Sequence, residues 1–140
     1  MIVGIIGSRR RNTEKDYDIL YKKVCELERY EPIKKFVTGD CTEGGDAFCR
    51  TIAIYWGRDY IVKHIKDPET NEDMDFKNHR KFDYFTMCNI FYKRDEEIAK
   101  EHMDYLLALV TPDRKGGTEK TIKYFKRYHK DWINKLVIIN

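Results

Sequence analysis

Three short segments combine glycine with hydroxyl or charged residues, each directly after an apolar run and ahead of a helical pattern. They read GSRRRN (7–12), TGDCTEGGD (38–46) and TPDRKGGTE (111–119). Glycine permits close backbone approach, and the start of a helix presents unpaired N–H groups with a partial positive charge. Arginine adds a pair of donors that matches phosphate. Together the three segments predict an anion-binding site.

Each segment also has an ordinary structural interpretation. Gly7 is placed to end a strand, Asp46 to cap a helix or to contact a sugar, and Thr118 to act as a helix N-cap. None of the three is a Walker A loop or a GxGxxG fingerprint. The prediction of a binding site therefore depends on their joint occurrence in three strand-to-helix loops.

The order of apolar runs and helical patterns predicts the fold. Strands are expected at 2–6, 34–39, 59–65, 103–110 and 135–139, and a long exposed loop at 66–81. Helices are expected at 13–30, 47–57 and 118–132, and residues 82–102 form either one helix or two abutting ones. Short apolar strands that alternate with helices are typical of right-handed βαβ crossovers. We predict an α/β fold: one Rossmann-like three-layer domain over residues 1–140, with a mostly parallel sheet of about five strands.

Composition narrows the function classes. Lys and Arg number 27 against 24 Asp and Glu, so the net charge of +3 argues against a dedicated nucleic-acid-binding domain. The four cysteines and four histidines are dispersed, without a CxxC pair, so we expect neither a metal site nor a cofactor. No apolar run approaches ~18 residues, and no leader precedes the first strand, which predicts a cytoplasmic protein without membrane contact.

Four segments in this order carry a resemblance to a known family: GSRR, TGDCTEGGD, KRDEEIA and DYLLALVTPDRKGGTEKTI. Together they resemble the SLOG superfamily, which includes the DprA-like and LOG (lysine-decarboxylase-like) Rossmann folds. The nearest similarity is to its small stand-alone proteins related to YspA and YpsA. The resemblance extends from Ile2 to about Phe125, except for the 66–81 loop.

The resemblance implies a pocket for a nucleotide or a nucleotide-derived ligand. It implies that Arg94 is the helix arginine that reaches the substrate in LOG enzymes. It also implies that Gly117 and Thr118 match the glycine–threonine of the PGGxGTxxE signature, whose amides hold phosphate. The full set of predicted ligand-binding residues is Gly7, Ser8, Arg9, Gly39, Asp40, Gly44, Gly45, Asp46, Arg94, Gly116, Gly117 and Thr118.

The chain departs from that signature at two points. It has PDRKGGT where the signature begins Pro-Gly-Gly, and Thr121 stands at the position of the catalytic glutamate. An enzyme would need another carboxylate, because an oxocarbenium-like centre is stabilised or captured by one. Asp95–Glu97 is the best local source, and the predicted catalytic residues are Glu96, Glu97 and Glu119.

Three functions follow as hypotheses. The first is a sensor or sequestering module for a nucleotide-type small molecule. The alternative is a nucleoside-monophosphate N-glycosidase, similar to a phosphoribohydrolase, and the second alternative is DprA-like binding of single-stranded DNA. Tyr124, Tyr128 and Trp132 either stack on nucleic-acid bases or, as their helical spacing favours, pack within the fold. His79 and Arg80 are candidates for a lid. The aromatic residues at 82–91 form either part of the core or the face of a homodimer or higher homo-oligomer.

Overall fold

The computed structural model describes residues 1–75 and 82–140. The candidate lid residues His79 and Arg80 lie outside the described residues. Along the chain the elements are β1 (Ile2–Gly7), α1 (Glu14–Tyr30), β2 (Lys35–Gly39), α2 (Gly45–Trp56), β3 (Asp59–Lys63), α3 (Tyr84–Lys100), β4 (Tyr105–Leu109), α4 (Gly117–Tyr128), α5 (Trp132–Lys135) and β5 (Leu136–Ile139).

The five strands form one parallel sheet in the order β3-β2-β1-β4-β5. In register, Val3 of β1 pairs with Phe36 of β2 and with Tyr105 of β4. The predicted α/β fold with a parallel sheet of five strands is confirmed. Because the strand order reverses between β1 and β4, the loops that follow these two strands diverge and leave a crevice at their carboxyl ends.

Alternate residues of each strand face opposite layers of helices. Val3 and Ile5 pack with Leu20 of α1 and Ile52 of α2 in one cluster of buried residues. Ile6 packs in a second cluster, which includes Ile98 and Ala99 of α3 together with Ile122 and Phe125 of α4. The sheet is thus covered on both faces, which explains why the central strands β1 and β4 are almost wholly apolar, whereas the edge strand β3 carries Asp59 and Lys63.

The helix boundaries agree with local signals at most positions. The Thr13 hydroxyl accepts a hydrogen bond from the Asp16 N–H, and the Asp16 carboxylate accepts one from the Thr13 N–H, so a complete capping box starts α1. The pattern at 118–132 predicted one helix, but α4 ends at Tyr128 and α5 begins at Trp132. The His129 ring nitrogen lies 2.8 Å from the Ala99 carbonyl oxygen of α3. This is a tertiary contact, which the helical pattern of the sequence does not predict.

Two predicted caps are wrong. Thr118 is not the N-cap of α4, because Gly116 occupies that position with a φ of 113°. Asp46 does not cap α2, which has Gly44 as its N-cap, and instead its Oδ2 accepts from the Cys41 N–H at 3.3 Å. The loop at 66–81 was also predicted to be exposed throughout, but Met74 is buried against Met87 and Ile90 of α3.

Backbone contact between two loops determines how α2 meets the sheet. A Cβ atom on Gly45 would lie 2.5 Å from the Gly7 nitrogen and 2.6 Å from the Ile6 carbonyl carbon. Only glycine permits this approach, because both of these atoms belong to the backbone and cannot rotate away.

Replacement of Gly45 by alanine should therefore lower the free energy of unfolding by about 3 kcal/mol, because the backbone of β1 must shift. Urea denaturation measures the loss. Gly57→Ala is the control, because Gly57 has a φ of 63° and no atom within 4 Å of an added Cβ. The only expected loss of stability there is about 1 kcal/mol, from alanine in the left-handed conformation. Equal losses in the two variants would contradict the close contact.

Candidate functional site

A cavity of about 660 Å³ opens at the carboxyl ends of β1 and β4, where the strand order reverses. This volume is in the range of small-molecule sites in proteins. Its walls come from the β1–α1 loop, the β4–α4 loop and one face of α3. The lining residues include Gly7, Ser8, Arg9, Arg10, Asp46, Tyr84, Cys88, Phe91, Tyr92, Arg94, Asp95, Asp113, Lys115, Gly116, Gly117, Thr118 and Thr121.

The three consecutive arginines after β1 have different surroundings. Arg11 donates to Asp16 at 2.7 Å and to the Val110 carbonyl oxygen at 2.7 Å, which joins α1 to the end of β4. Arg10 makes a bidentate pair with Asp113 at 2.7 and 3.0 Å. The hydrogen bond from Arg10 holds the pKa of Asp113 well below its usual range.

Arg9 lines the cavity and is exposed, as Arg10 is, but it differs from both of its neighbours in its contacts. It forms no hydrogen bond or ion pair with any residue in 1–75 or 82–140. A guanidinium held near a cavity without a protein carboxylate keeps its donors for an anionic ligand. Of the arginine triplet, Arg9 is thus the residue available for ligand binding.

The first turn of α4 supplies backbone donors to the same cavity. The first four N–H groups of a helix have no partner within the helix, and no described side chain caps this end. Gly116, Gly117 and Thr118 all line the cavity, and an added Cβ on Gly116 would meet no atom within 4 Å. The N-terminus of α4 is therefore open to an anion, whereas that of α2 is covered by the β1–α1 backbone at Gly7.

A buried ion-pair cluster lies behind these loops. The Arg94 guanidinium on α3 donates to Asp40 Oδ1 at 2.6 Å and to Asp95 Oδ1 at 2.9 Å. Asp40 also accepts from the Ile65 N–H at 2.8 Å, so the pair joins α3 to the segment after β3. Burial lowers the pKa of Arg94, but the charges of Asp95, Asp46 and Asp40 outweigh it and raise that pKa above its ordinary value.

Asp95 has one oxygen bound and one oxygen unpartnered. Its Oδ1 accepts from Arg94, while Oδ2 is buried and has no hydrogen-bond partner among the described residues. The Thr121 hydroxyl is close enough to lower the pKa of Asp95, but it donates to the Gly117 carbonyl oxygen at 3.3 Å. Burial is the larger effect and raises the pKa of Asp95 to about 6. Burial also raises the pKa of Asp46.

Aromatic side chains form the α3 wall of the cavity. Tyr84, Phe91 and Tyr92 line it, and the Tyr84 side chain is largely exposed. Apolar aromatic surface beside a few polar groups is typical of sites for flat organic ligands. This wall was missed in the sequence, although a signal exists: positions 84, 88, 91, 95 and 98 recur at helical spacing, and all five line the cavity.

The structure brings together most of the predicted ligand-binding residues. Those that line the cavity are Gly7, Ser8, Arg9, Asp46, Arg94, Gly116, Gly117 and Thr118. The other four lie behind the wall: an added Cβ on Gly39 would contact the Asp46 carboxyl, Asp40 binds Arg94, and Gly44 and Gly45 abut the β1–α1 backbone.

The three predicted catalytic glutamates do not line this cavity. Glu96 and Glu97 both lie near the Lys100 ammonium, at 3.3 and 3.9 Å. Glu119 pairs with Arg114 at 2.8 Å and lines a separate, smaller depression. Each helix residue is rotated by 100° from the preceding one, so the inward position of Asp95 turns Glu96 and Glu97 away.

Comparison of the chain with protein-family models, with curated proteins and with solved structures finds no match. None of the helices within 1–75 and 82–140 is long and apolar enough to cross a membrane. The same ranges contain no group of three or more His, Cys, Asp or Glu side chains arranged to hold a metal ion.

Replacement of Asp95 by asparagine tests the electrostatics of the site. The pKa of about 6 in the fold lies above the ordinary value of ~3.9, so ionisation destabilises the fold as the pH rises from about 4 through 6. The Asn variant does not ionise, so its stability relative to the wild type should increase over this window. At 1.36 kcal/mol per pKa unit the relative gain is about 3 kcal/mol.

Urea denaturation of both proteins at several pH values between 4 and 8 measures this difference. Asp18→Asn, the same exchange on the exposed surface of α1, is the matched control and should show little pH-dependent difference. A stability difference between wild type and Asp95→Asn that is flat with pH would show that Asp95 is not electrostatically perturbed.

Proposed function

We propose that the chain binds a nucleotide or a nucleotide-derived ligand in this cavity, as a sensor or sequestering module. The observation that carries the proposal is the composition of the cavity wall. An unpaired arginine and an open helix N-terminus face the same space as a set of aromatic rings. A nucleotide combines the two matching chemistries, an anionic phosphate and a flat aromatic base.

In this proposal the phosphate lies at the first turn of α4. The backbone N–H groups of Gly117 and Thr118 and the Arg9 guanidinium are the donors, since these groups have no partner among the described residues. The Ser8 hydroxyl adds a further donor, because its oxygen already accepts from the Arg10 N–H at 3.1 Å. Arg94 lines the cavity and adds positive charge to it. It is not counted among the free donors, because its guanidinium is bound by Asp40 and Asp95.

The base and sugar then extend toward α3. Tyr84, Phe91 and Tyr92 offer ring faces or edges against which a base can pack. Asp46 is the proposed sugar contact because it lines the cavity, while its Oδ2 is already engaged by the Cys41 N–H. This arrangement specifies a phosphate more strictly than it specifies the identity of the base.

The N-glycosidase hypothesis has less support than binding. Glu96, Glu97 and Glu119 are paired with cations outside the cavity. Among the described residues, the carboxyl side chains that line the cavity are those of Asp46, Asp95 and Asp113. Asp113 is held by Arg10, so a hydrolase would depend on Asp46 or Asp95.

Single-stranded DNA binding also has less support. The aromatic residues of α4 and α5 are engaged with neighbouring cations, with Arg127 over the Tyr124 ring and Lys126 over the Trp132 ring. Rings occupied in this way leave less free surface for stacking on bases.

The proposal of a homodimer has Tyr84 and Phe85 as its candidate contacts, since both are about four-fifths exposed.

Adenosine monophosphate should raise the melting temperature of the protein, and Arg9→Ala should weaken its binding about tenfold, as expected for the loss of one charge-assisted contact. Calorimetric titration measures the affinity. Arg29→Ala, an exposed arginine in the last turn of α1, is the control and should bind as the wild type does.

Mass spectrometry of small molecules released on denaturation tests the ligand class independently. The proposal expects a phosphate-containing compound with an aromatic base. If no nucleotide, inorganic phosphate or phosphate ester binds the protein, and none is released from it, the proposed function is wrong.

A further inference from the structure

The unpartnered oxygen of Asp95 faces the first turn of α4. A Cβ atom on Gly117 would lie 3.5 Å from Asp95 Oδ2, in ordinary contact. The carboxyl group is thus directly beside the open N-terminus of the helix, although it belongs to α3. A helix N-terminus attracts anions, so an anion bound there would meet a carboxylate.

The chemistry of Oδ2 requires a hydrogen-bond donor. Asp95 is only 1% exposed, and no described residue donates to Oδ2. Buried polar atoms in proteins are nearly always hydrogen-bonded, because an unsatisfied one costs free energy, and more when it is charged. Asp95 lines the cavity, so a ligand bound there is the candidate source of the donor that Oδ2 lacks.

The surroundings of Oδ2 restrict the chemical identity of that donor. Arg9, Gly117 and Thr118 line the same region and favour a negatively charged group. A bare dianion beside an ionised carboxylate is strongly disfavoured, as two carboxylates that share a site show when one keeps its proton. The donor must then be an acidic proton between the anion and Asp95.

We propose that Asp95 shares one proton with a phosphate monoester bound at the first turn of α4, so that the site binds a terminal phosphate more tightly than sulfate or a phosphodiester. This inference rests on the proposed phosphate site and adds the class of phosphate that it takes. No covalent bond changes: a proton from solvent is held between a phosphate oxygen and Oδ2.

The acidities of the two groups match. The pKa of Asp95 is about 6, and the second pKa of a phosphate monoester is also ~6. A proton between two groups of similar acidity forms a short, charge-assisted hydrogen bond. Sulfate and a phosphodiester are much weaker bases than a phosphate monoester, so with them the proton stays on Asp95 and the shared hydrogen bond is weaker. Charged or titratable groups lie around Asp95 and the cavity on every neighbouring element. They are Arg94, Tyr84, Cys88 and Tyr92 on α3, Asp46 on α2, Asp40 and Cys41 after β2, Tyr124 on α4, and Arg9, Arg10, Asp113 and Lys115 in the loops.

Calorimetric titration of the wild-type protein is the first test. Inorganic phosphate, which keeps an acidic proton at neutral pH, should bind at least about 30-fold more tightly than sulfate. Adenosine monophosphate should bind and take up one proton, measured in two buffers of different ionisation enthalpy. Its dissociation constant should rise about tenfold per pH unit between pH 7 and 9, and 3′,5′-cyclic adenosine monophosphate should bind much more weakly.

Asp95→Asn separates proton sharing from a purely structural role. The amide keeps an oxygen for Arg94 and presents an N–H donor in place of Oδ2, so a dianion no longer needs a proton. Adenosine monophosphate should then bind with little pH dependence between pH 7 and 9, and the preference for phosphate over sulfate should fall to about threefold or less. Asp18→Asn on α1 should retain the wild-type pH slope and preference.

The outcomes distinguish this inference from the proposed function. If the wild type binds phosphate and sulfate equally, or binds adenosine monophosphate without proton uptake, proton sharing by Asp95 is wrong while the phosphate site stands. If it binds no phosphate compound, the proposed function itself fails. Should Asp95→Asn not fold, the proton uptake and anion preference of the wild type decide the question alone.

Discussion

One buried guanidinium organises the region between the sheet and α3. Arg94 holds Asp40 and Asp95 directly, and the charge of Asp46 acts on it as well. These carboxyl groups come from the end of β2, from α2 and from α3 itself. One positive charge cannot neutralise three carboxylates in a medium of low polarity. Burial raises the pKa values of Asp46 and Asp95, and the charge of Arg94 only partly offsets it.

The same charge cluster determines how α3 presents its residues. With Arg94 bound at the end of β2, the face of α3 that carries Tyr84, Cys88, Phe91 and Asp95 lines the cavity. The aromatic wall and the buried carboxyl group are therefore positioned by one interaction, since they lie on one face of one helix. Glu96 and Glu97 are excluded from the cavity by the same geometry.

Two helices start near the cavity, and packing distinguishes them. The first turn of α2 abuts the β1–α1 backbone, where Gly45 and Gly7 are in contact. The first turn of α4 has open space beside Gly116 and no side-chain cap among the described residues. Both begin with Gly-Gly, so composition does not separate them. The difference arises because α1 and α2 pack on one face of the sheet and α3 and α4 on the other, so the β1–α1 backbone abuts the start of α2 but not that of α4.

The sequence by itself determined the elements and the edge at which the site forms. Strand and helix periods depend on near neighbours, and the parallel crossovers bring the three glycine loops to the carboxyl edge. Of the predicted binding residues, those in the loops after β1 and β4 line the cavity. The resemblance to the SLOG superfamily and the nucleotide as ligand stay predictions.

Only the tertiary structure decided which charged side chains are free. Arg10 is bound by Asp113, which lies 103 residues away, and Arg94 by Asp40, 54 residues away. Among the described residues Arg10 and Arg11 both have carboxylate partners, so Arg9 is the arginine of the three that is left for a ligand. Asp95 faces inward, rather than Glu96 or Glu97, because the packing of α3 sets its rotation. Local hydrogen bonding establishes the elements, whereas ion pairs between distant residues determine the chemistry of the cavity.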